Sequence, residues 1–184
     1  HMALARPEMF IIENVPGMKK FKVVMEAMTK LPDYYTTTFC PIKSEVWLPQ
    51  RRNRLIIIGS KKNFPWREPE PTKAKSLKEV LQEEPQVDSP KALTQRMKGA
   101  YRDLPIISDP DKNDIAPCCV AHYSKDRSTR VVVDRRHKLG VRPYSVREYA
   151  RLQGVPDDYV FNCSSNEAYR LIGNGVSVPL GKWL

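Results

Sequence analysis

Met9-Phe10-Ile11-Ile12-Glu13-Asn14-Val15-Pro16-Gly17 is a short apolar run closed by turn formers. The apolar residues suit a buried strand, and Asn-Val-Pro-Gly stops it in a tight turn. A helix is expected next. Met18, Phe21, Met25, Met28 and Leu31 recur at three- and four-residue steps, which places them on one face with Lys19, Lys20, Lys22 and Lys30 mostly outside it. Pro32-Asp33 ends that pattern. Tyr34 to Cys40, rich in Tyr, Thr and Phe, predicts a second strand, and Arg54 to Ser60, with Leu55-Ile56-Ile57-Ile58 unbroken, predicts a third that is buried on both faces. Strand, helix, strand and strand in this order suit the second half of an α/β sheet.

Beyond Ser60 the character changes, because Pro65, Pro69, Pro71, Pro85 and Pro90 interrupt the chain and leave room only for short helices. Ser76-Leu-Lys-Glu79 and the Ser89-Pro90 start before Lys91 are the expected openings. Regular structure is expected again from Val131-Val132-Val133. Ser145-Val-Arg-Glu148 reads as a capping box opening a helix through Leu152, Ser164-Ser-Asn-Glu167 as another opening a helix that ends near Gly173, and Val178-Pro179 as the start of a last helix. Three parts follow: 3–60 and 131–184 belonging to one α/β body, and 61–130 forming a small irregular lobe.

The chain has 184 residues and a formal charge of +10, a surplus that favours polyanionic partners through counterion release. The surplus is concentrated. Between Lys125 and Arg151 there are nine basic residues against Asp126, Asp134 and Glu148, a pattern that suits a nucleic-acid face or a solvated basic surface equally well. Cys40, Cys118, Cys119 and Cys163 form no CxxC pair and no metal spacing, so neither a zinc site nor a disulfide framework is indicated, and a reducing cytosol fits best. No apolar run approaches the ~18 residues of a membrane span, and no export signal is evident.

Four short motifs then occur in order: Glu13-Asn14-Val15; Gln50-Arg51-Arg52-Asn53-Arg54; Arg142-Pro-Tyr-Ser-Val-Arg147-Glu148-Tyr-Ala-Arg151-Leu-Gln153-Gly154-Val-Pro156-Asp157; and Gly173-Asn174-Gly175-Val176. Each alone is weak except the third. Together they resemble the later motifs of the DNA cytosine-5 methyltransferase family, with about 85 irregular residues where that family carries its variable target-recognition region. The resemblance covers nearly the whole chain. It implies an α/β fold, the C-terminal part of a Rossmann-like methyltransferase sheet with a target-recognition lobe, in a cytoplasmic bacterial enzyme of the restriction-modification type.

The family's chemistry explains the residue types. Cytosine C5 is a poor nucleophile, so a cysteine thiolate adds to C6 and the activated ring takes a methyl group from S-adenosylmethionine. A carboxyl held protonated by burial can offset the developing ring charge through N3 and the 4-amino group. The resemblance gives that role to Glu13. It gives Arg52 and Arg54, which alternation would place on one side of a strand, the task of contacting the flipped cytosine and holding the active-site residues. Asn174 and Val176 match positions beside the methyl donor. The third motif reads mainly as a scaffold, with Arg142 and Arg147 also near DNA phosphate, and Arg127 and Arg130 fall in the segment that would read the duplex. A lobe of about 70 residues favours double-stranded DNA over the transfer RNA that some relatives methylate.

The family's glycine loop and its Pro-Cys nucleophile loop have no counterpart here. Pro117-Cys118 falls after the QRRNR segment and lacks the small residues before it and the Gln after it. Cys118, Cys119 and Cys163 are expected as buried small hydrophobes. The expectation is therefore a chain inactive alone, needing a polypeptide partner that supplies the N-terminal half, with no metal and no membrane. A fragment of a longer enzyme and a noncatalytic DNA-binding remnant or regulatory subunit are the alternatives.

Overall fold

The computed structural model describes residues 2–72 and 74–184. In chain order the elements are α1 (Met2–Ala5), β1 (Met9–Asn14), a 3-10 turn (Pro16–Lys20), α2 (Lys22–Thr29), β2 (Tyr35–Lys43), a 3-10 turn (Ser44–Val46), β3 (Gln50–Arg51) and β4 (Asn53–Ser60). Then come α3 (Leu77–Val80), α4 (Lys91–Met97), β5 (Ile106–Ser108), β6 (Ala116–Pro117), a 3-10 turn (Ala121–Ser124), β7 (Arg130–Val133), β8 (Val141–Pro143), α5 (Val146–Leu152), α6 (Ser165–Asn174) and α7 (Val178–Trp183). They form two compact units, one of residues up to Lys43 with Asn53–Glu70, the other of Ser44–Arg52 with Pro71–Leu184.

In the first unit β4 lies between β1 and β2 and runs antiparallel to both, with Ile12 opposite Ile57 and Thr38 opposite that same residue. The outer strands are therefore parallel to each other, and α2 makes the crossover that a parallel pair requires. Leu55, Ile56, Ile57 and Ile58 are at most 1% exposed, as a continuous apolar strand should be. Phe10, Leu55 and Ile57 receive Met18, Met25, Met28 and Leu31, which is the predicted stripe with one exception. Phe21 is 64% exposed. It sits at the junction between the tight 3-10 turn and α2, and the change from 3.0 to about 3.6 residues per turn shifts it off the buried face. Gly59 lies under the Phe10 ring, where a Cβ would come within 2.1 Å of it.

The second unit has a three-stranded sheet in the order β5-β7-β8, parallel then antiparallel, and a two-residue parallel pair of β3 with β6. Its core is unusually rich in tyrosine. Tyr123 and Tyr149 stack at 4.7 Å between centroids, and Tyr169 meets both edge-on. Buried phenols need partners. Tyr169 donates to the Tyr144 carbonyl at 2.8 Å, while Tyr123 donates to the Arg130 carbonyl and accepts the Tyr144 N–H. Gly173 lets α6 lie directly on the Val120–Ala121 backbone, where a Cβ would fall 2.2 Å from the Val120 carbonyl carbon.

Helix starts follow the sequence closely. Complete capping boxes open α3 at Ser76 and Glu79 and α5 at Ser145 and Glu148. At α6 only half of the expected box forms: Ser164 accepts the Glu167 N–H, but the Glu167 carboxylate turns to Arg170 one turn on. By compactness 131–184 group with 71–130, while the residues from 61 to 70 group with the first unit. Among the described residues no helix is long and apolar enough to cross a membrane.

Candidate functional site

Glu13 and Arg54 meet in the first unit because of strand register. Glu13 lies opposite Ile56 across the β1–β4 ladder, and Arg54 is two residues from Ile56 on the same face, so the two are diagonal neighbours. Arg54 Nε donates to Glu13 Oε1, with the side chains 12% and 26% exposed. The guanidinium also donates to the Asn53 carbonyl at 2.8 Å. Among the described residues Glu13 Oε2 has no hydrogen bond, so one carboxyl oxygen is fixed and the other is available at the end of the strand. Asn14 closes the turn behind it by accepting the Val15 N–H.

Arg52 does not share that arrangement. It precedes β4, belongs to the second unit and is 3% exposed. Its guanidinium donates to the carbonyls of Cys119 at 2.9 Å and Gly175 at 2.7 Å, with longer contacts to the Gly173 carbonyl and the Cys118 thiol. The two arginines thus have different partners, main-chain carbonyls for Arg52 and a carboxylate for Arg54. Gln50 completes the buried hub: its Nε2 donates to the Leu152 carbonyl and to Gln153 Oε1, and its Oε1 accepts the Cys119 N–H. Gln153 in turn donates to the carbonyls of Ile172 and Gly175.

Arg52 and Gln153, the latter held by Gln50, grip the main chain at the end of α6 through the carbonyls of Ile172, Gly173 and Gly175. Asn174 and Val176 stand exposed on that fixed backbone, Val176 at 45%.

The basic stretch divides when its partners are counted. Arg142 is 3% exposed and makes a two-pronged pair with Glu148, at 2.7 and 2.8 Å, and a further bond to Asp134. Glu148 also accepts the N–H groups of Ser145 and Gln82. Arg142 is thus an interior strut, and its expected place at DNA phosphate is corrected by its burial. Burial alone would raise the Asp134 carboxyl, but hydrogen bonds from Arg136 and Arg142 outweigh it and bring it to about 2. Arg151 pairs with Asp157, and Arg135 with Asp111. Lys125, Arg127, Arg130, Lys138 and Arg147 have no carboxylate partner among the described residues.

Arg147 donates to the carbonyls of Pro156 and Tyr159, and with Arg127 it lines a cleft of about 490 Å³ that Tyr169, Gln82, Glu84 and Asp88 share. Arg130 lies in another cleft, of about 500 Å³, with Arg51, Ile106, Ile107 and Ile115. The expected DNA contacts therefore fall at two places.

Cys119 is fully buried, and burial pushes its thiol well up, as befits a packing residue. Cys163 is exposed, contrary to expectation, because it lies in the open loop before α6. Among the described residues no group of three or more His, Cys, Asp or Glu is placed to hold a metal ion. Sequence reasoning assigned nothing to Gln153, although it stands in the strongest motif, and missed Arg96, which carries no local signal.

Known proteins resemble this chain over nearly its whole length. The Type II methyltransferase M.NgoBI of Neisseria gonorrhoeae is 29% identical over 193 residues, covering 95% of this chain and 59% of that protein. M.HaeII of Haemophilus aegyptius is 27% identical, covering 95% of this chain and 58% of its own. The chain thus spans about three fifths of the length of these relatives. Among solved structures, Entamoeba histolytica EhMeth and S. pombe Dnmt2 both superpose with a TM-score of 0.73 over 96% of the chain, at 18% and 20% identity and over 62% and 63% of their own lengths. These likenesses show a mixed α/β methyltransferase fold. The model of the C-5 cytosine-specific DNA methylases matches residues 3–184, and the chain belongs to that family.

Proposed function

We propose that this chain is the base-holding and target-reading part of a DNA cytosine-5 methyltransferase, acting on a flipped cytosine in double-stranded DNA. The observation that carries the reading is the Glu13–Arg54 pair at the end of a buried strand, in a chain of this family. Glu13 holds the N3 and 4-amino edge of the ring and manages the proton there, while Arg54 fixes the carboxyl by one oxygen and leaves the other to the base. Arg52 acts through the main chain it grips, as a positioning residue. Residues 3–60 and 131–184 serve the base and cofactor sides, and 61–130 reads the duplex, with Arg127, Arg130 and Arg147 available to the DNA.

S-adenosylmethionine supplies the methyl group, and Asn174 and Val176 would form part of the wall that receives it. The nucleophile and the main cofactor loop are supplied outside these 184 residues, by more of the same polypeptide or by a partner polypeptide, in a bacterial cytoplasm. Support for such a complement comes from β1, an edge strand on which Met9 and Ile11 are 48% and 39% exposed. Edges of this kind are normally covered.

The test is reconstitution. The chain alone should transfer no label from S-adenosylmethionine to DNA, and addition of a chain bearing both missing loops should give activity. In the active complex Glu13→Gln should lower turnover by about 10²–10⁴-fold while keeping most DNA binding, since Gln keeps the shape without the ionisable proton. Unchanged turnover would make the Glu-Asn-Val turn structural. Persistent DNA binding with no activity under any complementation would favour the noncatalytic reading.

A further inference from the structure

Arg96, near the end of α4, is a buried arginine that the family reading leaves without a task. It is 8% exposed, and its guanidinium has three partners, one seven residues on and two about 30 residues on. Nε donates to Ser128 Oγ at 2.9 Å, one terminal nitrogen to Asp126 Oδ2 at 2.8 Å, and the other to the Asp103 carbonyl at 2.7 Å. The Tyr101 ring lies against it, 4.5 Å from centroid to guanidinium carbon.

Asp126 and Ser128 bracket Arg127. The Asp126 carboxylate also accepts the Ser128 N–H at 3.0 Å and the Ser128 hydroxyl, and Thr129 Oγ1 donates to the Asp126 carbonyl. Residues 126–129 are thus a closed turn whose carboxylate is gripped by Arg96, and Arg127, half-buried, leaves it toward the Tyr169 ring. Arg127 reaches the cleft beside the Tyr169 ring. Burial would raise the Asp126 carboxyl, but its bonds to Ser128 and Arg96 lower it below the usual aspartate range, so the grip is between full charges.

Two further consequences follow from the same three bonds. The turn runs directly into β7, on which Arg130 is the first residue, and the Asp103 carbonyl lies in the connection that leads to β5, the strand paired with β7. One side chain therefore ties the turn that carries Arg127 to the connection before β5. A helical arginine can do this because its planar fork offers donors in fixed directions, which a lysine cannot match.

We infer that Arg96 is the positioning residue for the DNA-reading turn: by holding Asp126, Ser128 and Asp103 it aims Arg127 at phosphate without touching DNA itself. The inference rests on the proposed action on duplex DNA. A preformed turn costs less ordering on binding than a loose one, so the effect belongs to affinity and to the number of phosphates engaged.

The experiment is a salt titration of duplex binding by the full 184-residue chain, from about 50 to 200 mM, read as the slope of log affinity against log salt. Arg127→Ala should reduce the slope by about 0.9, one phosphate contact. Arg96→Met should reduce it by the same amount although Arg96 is buried, and the double variant should fall no further, because the two changes remove one contact. Arg96→Lys keeps the charge and loses the fork. It should behave like Arg96→Met, an outcome that long-range charge does not produce, while the absence of a further fall in the double variant with Arg127→Ala is what a merely structural role would not give. A parent-like slope in Arg96→Met or Arg96→Lys, or full additivity with Arg127→Ala, would overturn the inference. Should Arg96→Met fail to fold, Arg96→Lys and Ser128→Ala carry the same comparison. If the parent chain itself bound without salt dependence, the DNA reading would fall and this inference with it. If the parent bound normally and Arg127→Ala kept its slope, only the inference would fall.

Discussion

The turn at residues 126–130 and the corner at residues 142–148 come from the same basic stretch, yet they use arginine in opposite ways. At the corner Arg142 is surrounded by carboxylates and main chain, 3% exposed, and joins β8 to α5 through Glu148. At the turn the buried arginine comes from elsewhere, Arg96, and it takes the local carboxylate Asp126, so that Arg127 and Arg130 keep theirs unpaired. Charge alone does not distinguish these outcomes. What separates them is where the acidic residues fall: Glu148 is fixed by the capping box of its own helix and faces back to Arg142, whereas Asp126 is turned inward by Ser128.

The sharpest way to break the contrast is at the corner. Arg142→Met should leave Glu148, which is 0% exposed, as an uncompensated buried charge and destabilise the second unit by about 3–5 kcal/mol in urea unfolding. Replacing Arg142 and Glu148 together with apolar residues should cost much less than either change alone, apart from the lost cap at Ser145. Equal costs for the single and the double variants would mean that the pair is not coupled.

Arg52 offers a second, smaller break. Its partners are carbonyls rather than carboxylates, so Arg52→Met leaves neutral acceptors of Cys119 and Gly175 unsatisfied. A loss of about 2–3 kcal/mol is expected, on the scale of charged hydrogen bonds. Hydrogen exchange should quicken first at the residues from Gly173 to Val178.

These two arginines also mark what could be read from sequence. The capping pattern of Ser145 and Glu148 is local, four residues long, and it appears as expected. The apolar stripe after β1 and the buried run of β4 are local too, and both form. Arg52 could not be placed that way, because its partners at Gly173 and Gly175 lie about 120 residues away and are main-chain atoms, which any sequence supplies. Arg96 is invisible for a similar reason: Asp126 is 30 residues on, in a segment with no periodicity. Arg54 is assigned through the family resemblance, and its pair with Glu13 follows only from the register of β1 against β4, which alternation within either strand does not supply.

The pH dependence of the corner is the third test. Asp134 is held near 2 by its bonds to Arg136 and Arg142, below the ordinary aspartate value of 3.8. A depressed carboxyl contributes stability that is fully present above the unfolded value and is lost as pH falls through the folded value. The second unit should therefore weaken between about pH 4 and pH 2, by on the order of 2 kcal/mol from this group, and Arg142→Met should reduce that dependence. Stability that stayed flat from pH 4 to pH 2 would show that Asp134 is not held by these two arginines.

The smallest effect is expected from the exposed Arg136 and the half-buried Arg147, and it separates charge that is free from charge that is used. Arg136 bonds to Asp134 through Nε at 3.2 Å, so the carboxylate already offsets much of its field. Arg147 is anchored only by the neutral carbonyls of Pro156 and Tyr159, which orient the guanidinium and leave its charge whole. Both look alike as basic residues of one stretch. On duplex DNA Arg147→Ala should lower the salt slope by about 0.9, while Arg136→Ala should change it by clearly less, because a paired guanidinium releases little additional counterion. Equal slopes for the two variants would mean that the carboxylate partners found at the corner do not decide which arginines face phosphate, and the division of the basic stretch would then rest on burial alone.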